Sequence, residues 1–357
     1  MQISLHDLDR FFGVIDTEFF NGKYNILFLI WESEYIPPHL KKTVNLFNEI
    51  WTASSYCNNL FQKVYNEPIL TVPHPVEINM KPIQNNIPFF DKNKFSFLFI
   101  FSYHSSIERK NPFFLMETFS KAFANEDKVE LIIKTVGAEK FKKQQRHLKQ
   151  FISDKKNIKI VNRDMDKNNV NHLINDCDCY VSMHHSEGFG LTLAEAMYFG
   201  KPTVATNYSG NTEFMNENNS FLVDYELDFI KNPDINFSAN TVWANPDMED
   251  AIKKLREVYE NVALRTEKAM NAKLFIEKKL SFHSVGSIMK ERLHDIYLNL
   301  DDITVNDKRS AYLLHQLQLA KSEVAKLQRE VRRMKRNLII SFILILKDTV
   351  RMLKGKK

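Results

Sequence analysis

Short apolar runs alternate with amphipathic stretches along most of the chain. In the first 78 residues, Asn25 to Trp31, Glu49 to Ala53 and Ile69 to Val72 read as strands. Helical stretches lie between them, near Pro38 to Phe47 and from Ser54 to Tyr65, where Ser54 can cap the start. Pro73, Pro75, Pro82 and Pro88 then punctuate the chain, and residues 79–94 read as a linker. Six further strands are predicted at Phe95 to Phe101, Val129 to Lys134, Ile158 to Val161, Cys179 to Met183, Pro202 to Ala205 and Ser220 to Val223. Helices fill the gaps, at about Asn111 to Ala124, Lys140 to Phe151, Lys167 to Asp176, Leu191 to Phe199, Gly210 to Met215 and Met248 to Ala272. Strands alternating with helices are the grammar of parallel sheets, so the fold class is α/β, with one complete doubly wound domain over residues 95–280 and a partial domain over residues 1–78. Three strands alone would leave an open sheet edge and an exposed apolar face.

The pattern changes beyond Ser281. Phe282 to Leu298 is amphipathic and places a C-terminal helix within residues 281–300. Leu313, Leu317, Ala320, Val324, Leu327, Val331, Met334 and Leu338 then follow heptad spacing, so residues 309–337 read as a coiled-coil-like helix. Either it finds a coiled-coil or hairpin partner, or it is a lone helix lying on its own domain. In residues 338–357 an apolar run, Leu338 to Leu346, precedes a basic end. At ~1.5 Å per residue that run reaches roughly 14 Å, half of a ~30 Å hydrocarbon core, so it cannot span a bilayer. It can enter one leaflet while Lys and Arg meet anionic headgroups, an interfacial tail at an anionic membrane surface.

Charge sharpens this division. The net charge of +5 resides in the tail: residues 321–336 hold seven basic side chains against Glu323 and Glu330, and residues 347–357 hold five against Asp348. The body before them is net acidic, which argues against nucleic acid as a partner. The three cysteines, Cys57, Cys177 and Cys179, are an odd number and fit a reducing compartment. No second Cys or His pair matches Cys177 and Cys179 at metal-ligand spacing. Met1 to Arg10 is polar and mixed in charge, unlike a signal peptide. The expected location is cytoplasmic, peripheral at the inner face of the membrane.

The chemistry concentrates in residues 184–197, His-His-Ser-Glu-Gly-Phe-Gly-Leu-Thr-Leu-Ala-Glu-Ala-Met. A strand ending at Met183 feeds a Gly-containing turn, and helical spacing starts at Leu191. The first amides of a helix lack intrahelical partners and sit at the positive end of its dipole, so Gly188 to Thr192 offers donors to a phosphate. Gly188 and Gly190 leave room for close approach to the backbone. Glu187 and Glu195 frame the turn, and a carboxylate accepts hydrogen bonds from paired hydroxyls. A ligand with phosphate in the middle and sugar hydroxyls at both ends, a nucleotide-sugar, matches that arrangement.

These blocks resemble the retaining glycosyltransferases of family 4, which have the GT-B fold. The resemblance rests on Glu187 and Glu195 with Glu-Gly-Phe-Gly-Leu, Glu-Ala-Met and Gly200-Lys201-Pro202 in order, and on Arg109-Lys110-Asn111-Pro112, Asn207-Tyr208-Ser209-Gly210-Asn211 and Trp243-Ala244-Asn245-Pro246-Asp247. Trp31-Glu32-Ser33-Glu34 and Val72-Pro73-His74-Pro75-Val76 look like the second half of the N-terminal domain of bacterial members that build surface polysaccharides. The coverage is roughly residues 15 to 300, and the first part of that domain has no counterpart here. Both domains would then be Rossmann-like, the first on the acceptor side and the second binding the donor.

The resemblance implies transfer of a sugar from a UDP- or GDP-linked donor to a glycan or lipid-linked acceptor hydroxyl with retention, and no metal or other cofactor. Glu187, Lys110 and Glu32 are the implied catalytic residues. Arg109, Lys110, Glu187, Gly188, Phe189, Gly190, Leu191, Thr192, Glu195 and His184 are the implied donor-binding set: Lys110 on the diphosphate, Glu187 on the transferred sugar, Glu195 on the ribose. Ser105 stands where the family usually has an Arg, which leaves Arg109 either compensating or exposed. Glu195 taken alone reads as a solvated helix residue, and His184 as a hydrogen-bonded wall. Glu32 occupies a place where members often carry a His; it lines the cleft or is part of the sheet edge. His185 has no assigned role, and Arg163 to Met165 border the base by loop position alone. With the acceptor side short, the chain is an enzyme, truncated or completed by a partner, or a donor-binding or membrane-scaffolding remnant.

Overall fold

The computed structural model describes residues 11, 20, 22–82, 89–230, 241–299, 317, 320, 321, 323–330 and 333. The first unit runs β1 (Ile26–Leu29), α1 (Pro38–Val44), β2 (Glu49–Thr52), α2 (Ser55–Gln62) and β3 (Ile69–Thr71). Its strands are parallel in the order β1-β2-β3, with Leu27 opposite Ile50 and Ile50 opposite Ile69. Ser54 caps α2 as its hydroxyl accepts from the Cys57 amide.

The second unit begins with β4 (Phe95–Ser102), α3 (Ile107–Lys110), α4 (Pro112–Ala122), β5 (Val129–Val136), α5 (Lys142–Phe151), β6 (Ile158–Asn162) and α6 (Lys167–Asp176). It continues with β7 (Cys179–Ser182), α7 (Leu191–Tyr198), β8 (Thr203–Thr206) and β9 (Phe221–Val223). All six strands are parallel, in the order β6-β5-β4-β7-β8-β9. The inner strands are buried on both faces and read as near-continuous apolar runs, as in FSFLFIFS of β4, while the edge strand β6 is only partly buried. After β9 come β10 (Tyr225–Phe229), β11 (Val242–Pro246), α8 (Met248–Glu260), α9 (Val262–Lys279) and α10 (Phe282–Leu298).

Four features depart from the sequence reading. The helix expected over Met248 to Ala272 is two helices, broken at Asn261, whose side chain accepts from the Leu264 amide and so caps α9. The helix expected at Gly210 to Met215 is a 3-10 turn, Ser209–Glu213. The antiparallel pair β10 and β11 was not foreseen, nor was the one-turn α3, which ends where Asn111 turns left-handed (φ 53°) before Pro112 opens α4.

The exposed apolar face expected of a three-stranded sheet is absent. Leu27, Leu29 and Ile50 pack on one side with Phe47 and Phe61, while Trp51, Phe28 and Leu70 on the other meet Val285, Ile288 and Met289 of α10. The closing helix therefore crosses back onto the first unit. A buried carboxylate anchors it: Glu49, fully buried, receives Arg292 Nη2 at 2.8 Å, the Tyr24 hydroxyl at 2.8 Å and Trp51 Nε1 at 2.7 Å.

Each described residue from 317 to 333 is exposed, so this part of the heptad segment does not rest on the folded body. The remainder of that segment, and the apolar and basic tail at 338–357, lie outside the described residues. Among the described residues no helix is long and apolar enough to cross a membrane.

Candidate functional site

In the six-stranded sheet, connections leave β4 toward β5 on one side, and the chain returns to pair β7 on the other. The direction of winding reverses between β4 and β7, and a crevice opens outside their carboxyl ends, where ligands of doubly wound sheets sit. The segment after β4 carries Arg109 and Lys110 on α3, and the segment after β7 carries Glu187 to Gly190. Residues 77 apart in sequence thus meet at one point.

Lys110 Nζ donates to Glu187 Oε1, and Arg109 Nη1 lies 3.1 Å from Glu187 Oε2. Arg109 is buried, donates to the Ser186 carbonyl at 2.6 Å, and lies 3.6 Å from Glu32 of the first unit. Of the two places open to Arg109, the structure gives the buried one, and it sets Glu32 at the crevice rather than only at the sheet edge. Burial alone would raise the Glu187 carboxyl, but Lys110 and Arg109 outweigh it and hold Glu187 well below the usual carboxylate range. The cluster pairs two cations with two carboxylates, and an arriving phosphate would compete with Glu187 for the same cations.

The turn itself is held from both sides. Gly190 adopts φ +90° as the cap of α7, a conformation that favours glycine, and the amides of Leu191 and Thr192 come before any intrahelical partner. The open space expected at Gly188 is taken: a Cβ there would lie 2.3 Å from Ile30 Cγ2. At Gly210 a Cβ would meet the Gly188 carbonyl oxygen at 2.2 Å. These two glycines seat the turn between the units, and the Gly188 carbonyl accepts from the Ser54 hydroxyl at 2.7 Å. Phe189 is buried against His74 and Phe214, so its ring faces the core and only its backbone is left to meet a ligand.

Glu195 is not a solvated helix residue. It is buried and pairs with Lys167 at the start of α6, while its Oε2 has no hydrogen-bond partner among the described residues. Burial raises its carboxyl, against the pull of Lys167. Sequence reading missed Lys167; its place just after the loop Arg163 to Met165 was the available signal. His184 is fully buried behind the turn, its Nδ1 3.0 Å from the Ser182 hydroxyl and its Nε2 3.0 Å from Asn211 Oδ1. Through these two contacts its ring braces the turn from behind. His185 stacks on Trp243 at 4.2 Å with its Nδ1 2.6 Å from the Ala244 carbonyl, so the unforeseen β11 is pinned beside the site.

Solved structures with the same fold include TarM of S. aureus, with a TM-score of 0.57 at 18% identity over 82% of this chain and 54% of that one. The pneumococcal O-GlcNAc transferase GtfA, in complex with UDP and GlcNAc, gives 0.55 at 13% identity over 76% and 53%. A glycosyltransferase from Rickettsia africae gives 0.56 at 15% identity over 82% and 81%. The chain spans about half the length of the first two. No curated protein sequence matches it. At these identities the likeness shows the fold, which is GT-B. Residues 84–275, more than half of the chain and the whole of the crevice's second-unit side, match the family model for glycosyl transferases group 1, and the chain belongs to that family.

Proposed function

We propose that this protein transfers a glycosyl group from a UDP- or GDP-linked sugar to a hydroxyl of a glycan or lipid-linked acceptor, with retention of configuration. The observation that carries the reading is the meeting of Lys110 and Glu187 at the switch point of the sheet, beside the first-turn amides of α7, which have no intrahelical partner. On donor binding, Lys110 and Arg109 turn from Glu187 to the diphosphate, whose remaining charge faces the Leu191 and Thr192 amides. Glu187, released, accepts from hydroxyls of the transferred sugar. The unpartnered Oε2 of Glu195 accepts from the ribose, with Lys167 neutralising the buried carboxylate. No protein nucleophile is assigned: the leaving phosphate assists the acceptor hydroxyl, and the side chains position the donor and stabilise charge on the leaving group. Glu32 approaches from the first unit, on the acceptor side. No metal or other cofactor enters this scheme. The UDP held by pneumococcal GtfA favours testing UDP-sugars first.

The test is incubation of the full chain with a panel of UDP- and GDP-sugars and with free and lipid-linked glycans. Product should form with at least one pairing, and Lys110→Ala and Glu187→Ala should each lower kcat/KM by about two to three orders of magnitude. The alternative is donor binding without transfer, for which the second unit's side of the crevice, within the matched residues 84–275, would suffice. Nucleotide binding with no turnover under any pairing would select it.

A further inference from the structure

The heptad segment carries a seam that the donor site does not use. Leu317, Val324, Val331 and Leu338 recur at the first core position of the repeat, and Leu313, Ala320, Leu327 and Met334 at the second. Residues 323–330 are helical, as are 317, 320, 321 and 333, and all are exposed. Leu317, Val324 and Leu327 each leave about half of their surface in water, 50%, 53% and 51%. A helix with an apolar stripe and no supporting body is marginal in water, so this stripe calls for a partner.

The residues flanking the seam say which partner. Gln316, Glu323 and Glu330 lie along one flank, and Lys321, Gln328 and Lys335 along the other. In a parallel pair, each residue of the first flank meets the second-flank residue of the following heptad in the other chain. That sets Gln316 by Lys321, Glu323 by Gln328 and Glu330 by Lys335, with no like-charge encounter. An antiparallel pair would set each flank against itself, glutamate near glutamate and lysine near lysine. Val324 and Val331 at the first core position, with Leu313 and Leu327 at the second, are the choice that favours two strands over three or four. Lys326, Arg329, Arg332, Arg333 and Arg336 fall on the outer positions, so the basic excess of the segment points away from the seam.

We propose that residues 313–338 join a second copy of this chain as a parallel, in-register, two-stranded coiled coil. The pairing is independent of the donor-site reading, because it uses none of the residues to which that reading assigns a role.

Sedimentation equilibrium of the full chain over a range of concentrations tests it. The expected result is a mass approaching twice the monomer's 42.0 kDa, reduced to the monomer by Val324→Asp with Leu327→Asp and left dimeric by Lys326→Asp on the outer face. The seam variant should keep the wild-type thermal unfolding of the two α/β units, so loss of the dimer is not loss of the fold. Leu327→Cys, oxidised in air, should form a disulfide between chains, since in a parallel in-register pair residue 327 faces its own copy; Cys57, Cys177 and Cys179 are buried and do not compete. A monomer at every concentration, a dimer or larger assembly that survives the paired Asp substitutions, or a dimer whose Leu327→Cys fails to cross-link would each overturn the proposal.

Discussion

Glu187 is the residue on which charge, burial and position converge. It is almost fully buried, with Lys110 and Arg109 both on its carboxylate. Its carboxyl lies below the ordinary value of 4.5 in the fold, so the pairing stabilises the protein above that value and the contribution fades as pH falls. Glu187→Gln should therefore lower stability by about 3–5 kcal/mol near neutral pH, the cost of breaking a buried pair, and the gap to wild type should narrow below pH 4.5. Thermal unfolding of both proteins between neutral and acid pH measures it; a gap that stays constant would show that Glu187 carries no charge-dependent stability. Residue identity alone could not separate Glu187 from Glu195. Both frame the turn in sequence, yet one sits among cations near neutral balance and the other is a buried carboxylate with a single lysine and one unpartnered oxygen.

At the scale of elements, the strand-turn-helix from β7 to α7 depends on its neighbours as much as on its own glycines. Gly210 belongs to another turn, but the space its Cβ would fill is the Gly188 carbonyl group itself, and backbone cannot step aside as a side-chain end can. Gly210→Ala should cost about 1–3 kcal/mol in stability by overpacking. It should also weaken nucleoside diphosphate binding, because the α7 amides shift with the turn. Calorimetric titration with UDP and a melting curve read both; wild-type UDP affinity in Gly210→Ala would mean that the turn's exact seat does not matter to the donor. The boundaries of β1 to β9 were legible in the sequence because buried parallel strands read as apolar runs. The β10 and β11 pair was not, since Tyr225 to Phe229 and Val242 to Pro246 are separated by twelve residues in sequence, beyond the two- to five-residue loops by which a hairpin is recognised.

At the scale of the molecule, the chain closes on itself. Arg292 near the end of the described body reaches Glu49 near its beginning, and Ser54, Ser186, Glu32 and Gly188 join the units across the crevice. Beyond the body, the apolar and basic end at 338–357 is proposed to bind an anionic membrane surface, each basic side chain near it contributing ~1 kcal/mol. Deleting residues 321–357 should abolish co-sedimentation with vesicles containing anionic lipid and leave nucleotide binding unchanged. Equal sedimentation with and without the tail would sink the membrane proposal.

What the sequence determined was whatever is written at short range. The alternation of apolar runs, the cap at Ser54, the glycines of the turn and the heptad repeat each depend on neighbours a few residues away, and they carried the α/β class and the place of the motif. The tertiary structure decided what depends on burial and on partners far along the chain. Arg109 is buried rather than exposed, His184 stands behind the turn, Lys167 neutralises Glu195, and α10, which starts at Phe282, covers the face of a sheet that began at Ile26. A charged or polar side chain looks the same in a sequence whether water or another chain segment surrounds it; only folding sets its desolvation, and with it the counter-charge it must find.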